Sequence, residues 1–190
     1  MTWLTALTDF GDLAVLLPLV AMTLLWLFLM RVRRGAAWWA MAVSVCVGLT
    51  ALAKVFAYAC PPAPDLHSPS GHTSLSTLVY GAMALITASE SGSWKRVMSI
   101  TIGAAFILGI AASRVLLAIH STREVGVGLV VGAIALTLFG QGYLRCRPIP
   151  ACLGLYLSAA SVVMLIFHGR ELRAEEFLHA VTGYLRVHCT

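Results

Sequence analysis

The chain has 190 residues, 59% of them hydrophobic and only 11% charged, with a formal net charge of +5. A water-soluble domain of this size carries about 25% charged residues, so a surface facing water on all sides is excluded and lipid is the expected solvent. Nor does the positive balance point to nucleic acid: Arg31, Arg33 and Arg34, then Lys95 and Arg96, then Arg145 and Arg147 fall in short segments between apolar runs, the pattern of loops held on the cytoplasmic side of a membrane.

The opening stretch, MTWLTALTDFGDL, has no positive residue and carries only Asp9 and Asp12. It lacks the charged start of a signal peptide, so the first apolar run reads as an uncleaved span. A spanning helix needs about 20 mostly apolar residues. Six runs qualify: 12–30, 36–59, 71–89, 97–117, 121–142 and 149–167. The expected fold is all-α, an integral membrane bundle of about six helices forming one domain over residues 1–190. The three basic clusters follow the first, third and fifth runs. With those clusters inside, both termini and the segments 60–70 and 113–123 lie outside.

Small residues mark places where helix backbones can approach: Gly103 and Gly109 in the fourth run, Gly128 and Gly132 in the fifth. Beyond residue 167, HGRELRAEEFLHAVTGYLRVHCT spaces Leu172, Phe177, Leu178, Val181 and Leu185 at near-helical intervals. Residues 168–190 therefore read as an amphipathic helix on the outer surface. The five cysteines have no metal-ligand spacing. Cys46 and Cys152 read as lipid-buried small hydrophobes. Cys60 and Cys189 fall on one side in this topology, which permits a disulfide. No metal and no cofactor are expected, and the oligomeric state stays open.

The ionisable residues in and beside the spans gather at one membrane face. Lys54 lies near the end of the second run, His72 opens the third, Arg114 lies near the end of the fourth, and His120 and Glu124 open the fifth. Charges in spans are expensive and mark functional sites by default. PSGH, residues 69–72, places a turn at a helix N-terminus, whose free N–H groups bind anions. Ser70 adds a hydroxyl, and Lys54 and Arg114 add charge, so the set suits a multiply charged oxyanion such as phosphate. His120 and Glu124 stand four apart, on one helix face. That spacing lets the carboxylate hold one ring nitrogen and leave the other free to attack, with His72 able to protonate a leaving oxygen. Asp65 reads as a turn residue.

These residues form three ordered motifs over Lys54–Glu124: KVFAYACPP, PSGH and SRVLLAIHSTRE. The set resembles the type 2 phosphatidic acid phosphatase (PAP2) superfamily of membrane lipid phosphatases and vanadium haloperoxidases. The resemblance implies that His120 attacks phosphorus and becomes phosphohistidine, and that His72 protonates the leaving group. It also implies that Lys54, Ser70, Gly71 and Arg114 hold the phosphoryl oxygens, while the acid orients the nucleophile. Two departures stand out. Pro61 occupies the place of an arginine in the first motif, for which Arg123 is a candidate auxiliary, and Glu124 replaces the usual aspartate.

The function expected is metal-independent removal of phosphate from a membrane lipid at the outer face of a bacterial inner membrane. Undecaprenyl diphosphate, lipid A phosphate, phosphatidic acid and phosphatidylglycerophosphate all fit. The rivals are a lipid-to-lipid phosphotransferase on the same site and a non-enzymatic lipid-binding or transport protein.

Overall fold

A computed structural model describes residues 3–59, 68–146, 152–170 and 172; for residues 58 and 59 it describes the backbone alone. Among the described residues the chain forms seven helices and no strand: α1 (Trp3–Asp9), α2 (Leu13–Leu29), α3 (Arg33–Ala59), α4 (Gly71–Ser89), α5 (Ser93–Leu116), α6 (Thr122–Leu144) and α7 (Leu153–Phe167). The six expected runs correspond to α2–α7, and the all-α membrane bundle stands. Among the described residues, four stretches are long and apolar enough to cross a membrane: Trp3–Leu29, Arg33–Ala57, α5 and α6.

The first run departs from expectation at its start. Residues 3–9 form a helix of their own, and the chain turns before restarting at Asp12. The Asp12 carboxylate accepts from the backbone N–H of Ala14 at 2.8 Å and so caps α2. At its far end α2 closes on Arg31, which takes the left-handed conformation (φ 58°). The N–H groups of Arg31 and Val32 return to the carbonyls of Phe28 and Leu27, satisfying the last turn and reversing the chain into α3.

Helix α4 lies at the centre, packed against α3, α5 and α6. Every residue from Thr73 to Ala82 is buried. A helix shielded on all sides from lipid need not be apolar. Its Thr73, Ser74 and Thr77 are satisfied within the bundle: Thr50 and Ser74 share a hydroxyl pair at 3.0 Å, and Thr77 donates to the Thr73 carbonyl at 2.7 Å. Glycines on α6 make this packing close. A Cβ on Gly128 would stand 2.7 Å from the Ser70 carbonyl oxygen, and one on Gly132 would collide with the Ser74 carbonyl and Thr77. Gly103 similarly abuts Ala84, and Gly109 abuts Leu7. Toward the other end, Trp39 packs edge-on against Phe139, which stacks on Tyr143.

Cys46 is buried in the bundle, while Cys152, at the N-cap of α7, is exposed on the surface of the protein. One expectation changes. At the other end of α7, His168–Arg170 turn rather than continue as a helix. Apart from Leu172, the rest of the expected amphipathic helix, with Cys60, Pro61, Asp65 and Cys189, lies outside the described residues.

Candidate functional site

The site forms where α3 and α5 end and α4 and α6 begin. Ser70 caps α4: its Oγ accepts from the Thr73 N–H at 3.4 Å and from the Thr73 hydroxyl at 3.0 Å. Its own O–H is thereby left in a donor role. The Ser70 backbone N–H donates to the Glu124 carbonyl at 3.2 Å, which ties the PSGH turn to the start of α6. Close approach at Gly128 permits that bond, since a side chain there would push the turn away.

Ser121 and Glu124 form a capping box at the head of α6. The Glu124 N–H donates to Ser121 Oγ at 3.3 Å, and the Ser121 N–H donates to Glu124 Oε2 at 2.7 Å. The same Oε2 lies 3.2 Å from His120 Nδ1. Glu124 is 6% exposed. It therefore fixes both the helix start and the imidazole, and Nε2 is the ring nitrogen left for chemistry.

The loop that carries His120 is clamped from the other side. Helix α5 ends with Ala118 in the left-handed conformation (φ 53°), its N–H bonded to the Val115 carbonyl. The Arg114 carbonyl accepts from both Ile119 and His120, at 3.1 and 3.2 Å. The arrangement is a Schellman closure with alanine where glycine is preferred.

The positive residues are deeply set: Lys54 is 4% and Arg114 8% exposed. The Lys54 stem passes Gly71, with 3.8 Å between its Cε and a Cβ built there. Arg114 Nη1 donates to Thr8 Oγ1 at 3.4 Å. Burial, then Arg114, then Lys54 push the His120 proton affinity down, while Glu124 pulls it up. The net direction is below the ordinary histidine value of 6.5, which favours the neutral, nucleophilic ring.

His72 has a partner that sequence reasoning passed over. Its Nε2 lies 3.4 Å from Asp12 Oδ2. The N-terminal segment thus supplies both Asp12 and Thr8. A helix-start signal was visible in "DLAVLL", but no local pattern links a capping aspartate to a histidine sixty residues later. Arg123 stays exposed at the outer turn of α6 and is not buried with Lys54, Arg114 and Glu124.

A cavity of about 190 Å³ opens beside this cluster. Lys54, Gly71 and His72 line its polar end. Its floor descends α3 by way of Thr50 and Cys46, with Leu13 and Leu75 across from them. A larger apolar cleft, about 700 Å³, lies between α4, α5 and α7 and reaches Lys95. It contains none of the site residues, so the smaller cavity is the one joined to the chemistry. Among the described residues no three His, Cys, Asp or Glu side chains gather as a metal-binding group.

The arrangement can hold an anion against the α4 N-terminus, Lys54 and Arg114, with a neutral imidazole at one side and a second imidazole at another. A comparison with protein-family models matches residues 55–147 to the PAP2 superfamily. The match includes Ser70, Gly71, His72, Arg114, His120 and Glu124 and begins one residue after Lys54. No curated protein and no solved structure matches the chain.

Proposed function

We propose, for a chain whose residues 55–147 belong to the PAP2 superfamily and whose match supports a phosphatase-type function, that it hydrolyses the phosphate of a membrane lipid through a phosphohistidine. The observation that carries the lipid reading is the shape of the small cavity. It begins at Lys54, Gly71 and His72 and runs down the apolar side of α3 to Cys46. A molecule with a charged head and a hydrocarbon chain fits both ends; a water-soluble phosphate ester fits one.

The chemistry follows from the contacts. Lys54, Arg114, the Ser70 hydroxyl and the N–H groups at the start of α4 neutralise the phosphoryl oxygens, which is most of what phosphoryl transfer asks of a protein. His120 Nε2 attacks phosphorus while Glu124 holds Nδ1–H and stabilises the ring as it becomes positive. The bond from phosphorus to the bridging oxygen breaks, and His72 gives its proton to that departing oxygen, the lipid's alkoxide in a monoester or its remaining phosphate in a diphosphate. Water then attacks the phosphohistidine, His72 takes the water's proton, the P–N bond breaks, and inorganic phosphate leaves. The protein would work in the cytoplasmic membrane of a bacterium with this site facing outward.

The test is phosphate release by purified protein from a panel of lipid phosphates: undecaprenyl diphosphate, lipid A phosphate, phosphatidic acid and phosphatidylglycerophosphate. At least one is hydrolysed, and His120→Ala removes the activity while the protein stays folded. Turnover by the alanine variant at more than a few per cent of the parent rate overturns the mechanism. Hydrolysis of none of the lipids by the parent protein overturns the function.

A further inference from the structure

The two histidines are each paired with a carboxylate, but only one pair was visible in the motifs. His120 has Glu124, four residues away on the same helix. His72 has Asp12, brought from the N-terminal segment. The Asp12 carboxylate is buried and fully engaged. Oδ1 accepts from the N–H groups of Ala14, at 2.8 Å, and Leu172, at 3.1 Å, so the group cannot swing. Oδ2 is left aimed at His72 Nε2, 3.4 Å away.

A carboxylate is costly to bury unless something requires it. As a helix cap alone, Asp12 would be served as well by asparagine or serine. What a cap does not need is a second oxygen directed at a histidine. His72 lies in the first turn of α4, where the helix dipole disfavours positive charge, and an acid step needs a positive ring there. Asp12 supplies the negative partner, and it fixes which ring nitrogen is free.

We propose that Asp12 is the positioning residue for the proton donor of the reaction. By holding His72 Nε2, it presents Nδ1–H to the leaving oxygen. This rests on the phosphatase reading above. In the first step the proton passes from His72 Nδ1 to the lipid alkoxide as the P–O bond breaks, and Asp12 keeps its charge throughout. In the second step His72 Nδ1 recovers a proton from the attacking water.

Asp12→Asn separates this role from capping, because asparagine keeps the N-cap of α2. Two substrates are measured: an alkyl phosphate lipid hydrolysed by the parent protein, and p-nitrophenyl phosphate, whose departing phenolate is stable without a proton. The parameter is kcat/KM, which reports the steps up to phosphoenzyme formation. The expected loss on the alkyl lipid is about 10–100-fold, part of the factor that a general acid provides. The loss on the aryl ester is at least tenfold smaller. In a His72→Ala background, Asp12→Asn adds nothing further on the alkyl lipid, since the two act as a unit. Asp12→Ser, a second capping residue, gives the same split. Equal losses on both substrates, or no loss on either, overturn the inference while leaving the phosphatase reading intact. A parent protein that hydrolyses neither substrate overturns both.

Discussion

At the scale of single residues, Glu124 has two tasks, and they can be separated. Its Oε2 receives the Ser121 N–H and His120 Nδ1 together. Glutamine satisfies a capping box as glutamate does, so Glu124→Gln should fold normally. It removes the charge that steadies the imidazole, and the rate should fall by about 10²–10⁴-fold, by analogy with other orienting acids. The pH profile gives the sign. In the proposed mechanism neutral His120 is the active form; it predominates above its pKa, which burial and Arg114 hold below 6.5 against the pull of Glu124. The acid limb of kcat/KM should therefore lie below pH 6.5 in the parent protein. In Glu124→Gln the upward pull is lost, so the limb should move to still lower pH as the plateau drops. A solvated helix-end carboxylate would change neither. The cations give a second expectation at this scale. Lys54 and Arg114 are buried and act on His120, and in the proposed reaction they would carry the neutralisation that a divalent ion provides elsewhere. Activity should persist in excess EDTA; loss in EDTA and recovery with Mg²⁺ would refute that assignment.

At the scale of elements, the joint between α4 and α6 sets the site, and two glycines two residues apart test it. Gly128 faces the Ser70 carbonyl, with 2.7 Å to a built Cβ, whereas Gly126 has nothing within 4 Å. Gly128→Ala must push the PSGH turn off the Glu124 carbonyl and should cost about 1–3 kcal/mol of stability, with a loss of activity larger than the loss of folded protein. Gly126→Ala only stiffens a helix and should be neutral or stabilise by up to about 1 kcal/mol. Thermal denaturation of the two variants in one detergent decides between them; equal effects would mean that the close approach does not matter. Much of this scale was legible beforehand. The bounds of α4 follow from Ser70 and an apolar run, and the small-residue spacing at Gly128 and Gly132 marked a helix contact. Other helices begin earlier than the apolar runs, α5 at Ser93 and α3 at Arg33, because a hydrophobicity criterion cannot see a polar first turn. The break at residues 10–12 was hidden for another reason. Apolar residues flank it on both sides, and what holds it open is tertiary: Tyr80 donates to the Phe10 carbonyl at 2.7 Å, and Asp12 is drawn to His72. Pairings of that kind carry no period, so Glu124 beside His120 could be read from one helix turn, whereas Asp12 beside His72 and Thr8 beside Arg114 could not.

At the scale of the molecule, the question is which way the bundle faces and where the chain leaves it. The ends of α3 and α5 and the starts of α4 and α6 meet at the site. Their opposite ends carry Arg31, Arg33, Arg34, Lys95, Arg96 and Arg145, so chemistry and basic loops occupy opposite ends. The positive residues should stay on the cytoplasmic side, which turns the site outward. Helix α7 is the doubtful crossing by length, since 15 residues rise about 22 Å against a hydrocarbon core of about 30 Å. Its far end is nevertheless fixed. His168 Nε2 meets the Ala6 carbonyl at 2.9 Å and rests against Phe10, and the Leu172 N–H reaches Asp12. The chain therefore returns to the site end before its last residues. A reporter enzyme that works only outside the cytoplasm, fused after Thr190, should be active, and one that works only inside should be silent. Fused instead at the turn between α4 and α5, next to Lys95, the pair should give the reverse result. If the C-terminal fusion is active only in the cytoplasm while the Lys95 fusion is active only outside, the bundle is inverted and the site faces inward, where it would meet a different set of lipid phosphates. If both fusions report the same side, α5, α6 and α7 do not make three crossings between them, and α7 fails to span.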